Sequence, residues 1–134
     1  MGDRANVFFV DSRDGDKLRG IYLYSHWGGV DFQADAITAL TGDVAKQRWN
    51  DEPYLARIVI QTVMNKNFKE SEATGGGLST GLCDNNHPIL VIDGFEQQVR
   101  LMKEGEEDNA KATPLAARPF AEAHLLFGDL SDDE

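Results

Sequence analysis

The strongest constraint on the fold is a hairpin pattern near the N-terminus. Asn6 to Ser12 (NVFFVDS) is rich in β-branched and aromatic residues and predicts a strand. Asp14-Gly15 follows, a pair suited to the positive φ angles of a tight hairpin turn. Lys17 or Leu18 to His26 is then the returning strand. It runs into the stretch Gly20–Gly29 (GIYLYSHWGG), where strand signal, two tyrosines, a histidine and a tryptophan are packed together. Strand alternation puts Leu18, Tyr22, Tyr24 and His26 on one face and Ile21, Leu23 and Trp27 on the other. The second set is the more apolar and is assigned to the core. A bulge would reverse that assignment beyond it.

Helices follow the hairpin. Asp31 is the expected cap of a helix over 32–46, with Ala36, Ile37, Leu40 and Val44 at helical spacing. Gly42 costs about 1 kcal/mol there relative to Ala, so a break after Leu40 and a restart at Asp43 are expected. Asn50-Asp51-Glu52-Pro53 marks a second start. Asp51 can cap, Glu52 suits the positive end of the helix dipole, and Pro53 lacks an N–H that has no intrahelical partner there anyway. Leu55, Ile58, Val59, Thr62 and Val63 form one face, and the helix is expected to end near Asn67.

The second half returns to strands. Residues 69–77 (KESEATGGG) predict a glycine-rich loop, and 78–82 a short strand. Asp84 to Pro88 is dense in turn formers. Ile89 to Asp93 (ILVID), apolar on both faces, predicts a central strand, with Gln98 to Lys103 as its partner. Residues 104–114 are charged and loop-like. Phe120 to Phe127 predicts a short helix docked by Phe120, Leu125 or Leu126, and Phe127. The expected class is α+β: a mostly antiparallel sheet in the order β-β-α-α-β-β-β, a short C-terminal helix, and two helices packed on one face. Residues 1–128 form one domain and 129–134 an acidic disordered tail. The second sheet face is left open or covered by the C-terminal segment.

Charge and cysteine content narrow the function classes. The chain has 134 residues, enough for one core, and no apolar run near the ~20 residues of a membrane span. The N-terminus lacks the pattern of a secretory signal, and Asn6 stands where a myristoylation motif wants Ser or Thr. With one cysteine, Cys83, no internal disulfide or multi-thiolate metal site forms, which fits a reducing cytoplasm. The net charge is −10, with 12 acidic and 9 basic groups in residues 1–92 and 11 acidic and 4 basic in 93–134. Such a surface disfavours direct nucleic-acid binding and suits a basic partner, although negative charge also serves solubility.

Few motifs carry chemistry. His26, His87 and His124 lie in separate elements without metal-ligand spacing. The Asp84-x-x-His87 pair serves a turn as readily as a metal, so no metal or cofactor is expected. Ser25 adjoins His26 but points to the opposite strand face, which disfavours a local Ser–His pair. Cys83 beside His87 could be an activated thiol or a small buried hydrophobe. Gly75, Gly76 and Gly77, followed by Ser79 and Thr80, resemble a phosphate-cradling loop, but no Lys follows and no helix begins, which excludes a P-loop. The acidic groups Glu104, Glu106, Glu107 and Asp108, and Asp129, Asp132, Asp133 and Glu134, are solvated charge or steering for a basic partner. Tyr22, Tyr24 and His26, joined by Arg100 and Met102, make a candidate contact patch if their face is open.

Three blocks, Ile21–Gly29 (IYLYSHWGG), Arg48–Ile58 (RWNDEPYLARI) and Gly77–Asp93 (GLSTGLCDNNHPILVID), together resemble a group of small bacterial, prophage and phage proteins of unknown function. The resemblance covers roughly residues 18–101. It implies a mobile-element setting, in which small acidic proteins often bind and block a host protein. The leading expectation is a non-enzymatic binding protein, an inhibitor of a host defence or regulatory protein, contacting it through Tyr22, Tyr24, His26 and Arg100 or through Asp132 and Asp133. A second is a nucleotide-like ligand held by Gly75–Gly77 with His26 and Trp27. A third is a small hydrolase or transferase using His26, Cys83, Asp84 or His87.

Overall fold

The computed structural model describes residues 2–68 and 74–130. The chain runs β1 (Ala5–Asp14), β2 (Lys17–Ser25), α1 (Gly29–Leu40), α2 (Asp43–Lys46), α3 (Glu52–Asn67), β3 (Gly76–Ser79), β4 (Ile89–Asp93), β5 (Gln98–Met102) and β6 (Ala116–Pro119). It closes with a 3-10 helix over Phe120–Asp129 that is kinked at Glu122, where φ is −117° and ψ 17°. The fold is α+β. Six strands form one sheet in the order β3-β2-β1-β4-β5-β6. Only the β1–β4 pair is parallel, with Val7 opposite Leu90, and the others are antiparallel.

Alternation along the strands sorts side chains between two faces. One row runs Leu23, Val7, Leu90, Leu101 and Ala116 across five strands, and all five are buried against the helices. The next row runs Tyr22, Phe8, Val91 and Arg100 on the opposite face. β4 is buried at every position because both faces are covered there, which is why ILVID lacks alternation. On the helical side α3 contributes Leu55, Val59 and Val63 at i, i+4 and i+8. Burial of each is worth about 1.5–3 kcal/mol. The C-terminal 3-10 helix joins this layer through Phe120, Ala123 and Leu126. Leu126 faces in and Leu125 faces out.

The second face is not open, and it is covered by a segment other than the expected C-terminal one. A strap, residues 103–115 between β5 and β6, lies over Phe8, Val10, Leu18, Tyr22, Ile89, Val91 and Met102, helped by Leu82. The strap brings only Ala110 and Ala112 as apolar cover. Polar bonds hold it: Leu18 N–H donates to Asp108 C=O at 2.7 Å, Ala110 N–H donates to Asp16 C=O at 2.7 Å, and Lys17 pairs with Asp108.

Several boundaries moved. The first helix starts at Gly29 rather than at 32, because Ser25 Oγ accepts the Gly28 N–H at 2.9 Å and turns the chain early; Asp31 lies in the first turn instead of capping it. The break at Gly42 occurs where the glycine penalty puts it. The third strand spans Gly76–Ser79, not 78–82, and β6 has no counterpart among the sequence expectations. Of the expected tail, residues 131–134 lie outside the described residues. Asp129 ends the 3-10 helix, where Arg118 Nε and Nη2 donate to its carboxylate at 2.6 and 2.8 Å.

β1 carries a bulge between Val10 and Ser12 opposite Gly20. A Cβ at Gly20 would stand 1.8 Å from the Phe9 carbonyl oxygen, so only glycine fits this close approach.

Candidate functional site

The bulge displaces the expected faces of β2 less than the covering layers do. Leu23 alone of the presumed inward set is buried; Ile21 is 41% and Trp27 61% exposed, because the helices do not reach the outer end of β2 and the chain leaves the sheet at Trp27. In the presumed outward set, Tyr22 is buried. Its ring stacks on Phe8 with centroids 4.5 Å apart, and its hydroxyl donates to Glu107 Oε2 at 2.7 Å. Glu107, 4% exposed, also accepts the Gly105 N–H at 2.7 Å through Oε1. Burial, then the Glu107 hydrogen bond and charge, push the Tyr22 hydroxyl far above the ordinary tyrosine range.

The proposed patch of Tyr22, Tyr24, His26 and Arg100 is therefore not one surface. Tyr22 and Arg100 do share a row, but Phe8 and Val91 stand between them, roughly 14 Å of strand spacing. Arg100 is spent on a turn: Nη2 donates to Asp93 Oδ2 at 3.1 Å and Nη1 to Gln98 Oε1 at 2.9 Å. Asp93 Oδ1 in turn accepts the N–H groups of Phe95 and Glu96. Tyr24 and His26 remain half-buried at the sheet end, with Tyr24 Oη and His26 Nδ1 2.9 Å apart. Asp132 and Asp133 lie outside the described residues.

The candidate catalytic groups do not converge. Ser25 points away from His26, as alternation requires, and its Oγ accepts the Gly28 N–H just before α1. His87 Nε2 meets the Asp3 carboxylate rather than Cys83. Asp84 offers its backbone C=O to Asn6 Nδ2 at 3.1 Å. Cys83 is half-buried. None of His26, Cys83, Asp84 and His87 shares a hydrogen bond with another. Among the described residues, no group of three or more His, Cys, Asp or Glu side chains is placed to hold a metal ion.

The glycine run has a packing explanation. A Cβ at Gly75 would meet the Trp27 ring at 2.3 Å, and one at Gly76 the Phe68 ring at 2.2 Å. Gly75 C=O accepts the His26 N–H at 2.7 Å, and Gly77 pairs with Tyr24. These glycines let two aromatic rings lie on an edge strand. Only Gly77 faces open space.

Sequence reasoning missed the two openings that flank the outer end of β2. On the helical face, a groove of about 440 Å³ lies between β1–β2 and α3, with Phe9, Ile21, Pro53, Ala56 and Ile60 as apolar walls. Asp11, Glu52, Arg57 and Gln61 form its rim. On the strapped face, a cleft of about 780 Å³ is bounded by Tyr22, Leu82, Thr80, Glu107 and Asp108. Both openings touch Asp11 and Ile21. The signal that could have found them was Ile21 itself, an apolar residue two positions before Leu23 and just after a glycine.

The chain was compared with protein-family models, with curated proteins and with solved structures, and nothing matches in any of the three. Among the described residues, no helix is long and apolar enough to cross a membrane.

Proposed function

We propose that this chain is a non-enzymatic binding protein that acts by protein–protein contact on a partner with a basic surface. One observation carries the reading. Ile21 stands on the helix-covered face opposite buried Phe9, yet it is open to an apolar groove whose rim holds Asp11 and Glu52 against Arg57 alone. Exposed apolar surface rimmed by polar groups is the usual form of an interaction site. The overall charge of −10 adds long-range attraction for a basic partner. Inhibition of a host defence or regulatory protein is the form this binding takes if the resemblance of the three sequence blocks holds.

The other readings have less behind them. A nucleotide-like ligand at Gly75–Gly77 competes with the Trp27 and Phe68 rings that already occupy two of those glycines. A hydrolase or transferase needs two convergent polar groups, and the four proposed ones are each engaged elsewhere or isolated.

The experiment is affinity capture from a bacterial lysate, run in parallel with the native chain, Ile21→Arg and His87→Ala. A partner retained by the native chain and by His87→Ala, but lost with Ile21→Arg and released by added salt, is the expected result. Retention by Ile21→Arg at native level removes the groove from the interface.

A further inference from the structure

We infer that the partner supplies an extended segment, with apolar and basic side chains in alternation, that adds as a strand to the outer edge of β2 at Arg19–Ile21. This rests on the binding reading above and names the form of the ligand.

The argument begins with the backbone. β2 spans nine residues, but β3 pairs only with Tyr22–Ser25. At the other end of β2, the strap closes the edge through Lys17 opposite Asn109. The stretch between pairs with β1 on its inner edge, and on its outer edge no strand among the described residues pairs with it; Thr80 and Leu82 only line the cleft beside it. The direction of its peptide groups follows from both ends: Leu18 N–H donates outward to Asp108, and His26 N–H donates outward to Gly75. Residues of equal parity point the same way along an unbulged strand, so the N–H and C=O of Gly20 point to the open edge. Such an edge is a template for strand addition.

The two openings then specify the side chains. Successive residues of an added strand point to opposite sheet faces. One set would enter the groove beside Ile21, Ala56 and Ile60, which suits a β-branched residue. The other set would enter the cleft beside Glu107. The charged groups bounding that cleft are Asp11, Glu107 and Asp108 against Lys17 and Arg19. Lys17 is taken by Asp108, and Arg19 lies 3.6 Å from Asp14. No cation among the described residues pairs with Glu107 or Asp11. Glu107 accepts two hydrogen bonds and has lone pairs left for more. A buried carboxylate at the wall of a cleft, without a cation, fits an arginine or lysine side chain from the partner.

The test uses the full chain and a synthetic peptide of alternating valine and arginine, at concentrations up to the millimolar range. Because any side chain at Gly20 would strike the Phe9 carbonyl, the backbone lesion is placed in the peptide. Two N-methylated isomers are compared, one blocking the odd amides and one the even. The expected result is slowed hydrogen exchange at Gly20 N–H, together with about tenfold weaker binding of one isomer only, one hydrogen-bonding edge being about 1.4 kcal/mol. Glu107→Gln should weaken the valine–arginine peptide and leave a valine–threonine peptide unchanged. Equal binding of the two isomers, or peptide shifts at Ile60 without Gly20 protection, overturns strand addition while leaving the groove intact as a contact site. No binding at all overturns it too, and the Ile21→Arg capture then decides separately whether the chain binds a partner. Gly20 protection without peptide, in a species of dimer mass, assigns the edge to a second copy and overturns the partner segment.

Discussion

Leu101 and Met102 are neighbours on β5, both buried, and they look into different kinds of cover. Leu101 meets a layer of helices whose own hydrogen bonds are satisfied and whose apolar stripes lie flat on the sheet. Met102 meets the strap, an irregular segment with two alanines for apolar contact and a buried Glu107 for an anchor. Helical cover is bought with periodicity. The strap is instead tied down by peptide groups and charged side chains reaching β2 and Asp16 in the turn before it. A core closed by regular elements resists collapse around a void, whereas one closed by a loop can follow the side chain that was removed.

Truncating each neighbour should expose that difference most strongly. Leu101→Ala is expected to cost about 4–5 kcal/mol and Met102→Ala about 2–3 kcal/mol, within the range known for such deletions. Urea unfolding of both variants gives the comparison directly. Equal losses would mean that the strap is as rigid as the helices, and the contrast between the faces would fall.

The anchor comes next in size. Tyr22→Phe leaves Glu107 buried with one donor fewer, and a cost of about 1–3 kcal/mol is expected in the same measurement. Amide exchange should rise along 103–115 and stay unchanged in α1 and α3. Uniform loosening of both faces would show that the strap is not a separate unit.

Alkaline titration tests the same anchor without mutation. The folded-state value of Tyr22 lies above the ordinary 10.0, so the unfolded chain ionises first. Its contribution is intact below pH 10 and erodes above it, by about 1.4 kcal/mol per pH unit. Tyr22→Phe should flatten that slope, and a slope that survives the substitution assigns the effect to other groups.

The smallest effect is expected at the far end of the helical layer. Arg118 holds the Asp129 carboxyl below its ordinary 3.8 by hydrogen bonding. That contribution is present above the ordinary carboxylate range and is lost as pH falls through the depressed folded value. Amide exchange in Phe120–Asp129 should quicken there while β4 stays protected. Asp129→Asn should give the quickened pattern already at neutral pH.

The same contrast explains what could be read in advance. The hairpin, the break at Gly42, the start of α3 at Glu52 and the central position of ILVID all follow from local rules: turn chemistry, glycine cost, a proline in the first helical turn and two-sided burial, although Asp51 stands at the N-cap without a side-chain hydrogen bond. The strap follows none of them. Its acidic residues read as solvated charge, yet Glu107 is buried because Tyr22, some 85 residues earlier, offers it a hydroxyl. β6 was missed for a related reason: four residues with one buried alanine carry no strand signal without Val99 and Arg100 alongside. The site was less legible than the fold. Alternation divided β2 correctly into two faces, but which face is covered is a property of chain arriving from elsewhere. Hence Tyr22 moved from surface to core, and Ile21 from core to groove.

The parallel pairing of β1 with β4 carries a consequence in time. The sheet consists of two antiparallel halves, β3-β2-β1 and β4-β5-β6, joined along one seam. The hairpin β1–β2 and the turn between β4 and β5 can each close within microseconds over short loops. Val7 and Leu90 must wait for most of the chain between them, helices included, to fall into place. The seam is expected to form last, so substitutions at Val7 or Leu90 should quicken unfolding while leaving the folding rate nearly unchanged, a ratio that stopped-flow kinetics reads directly.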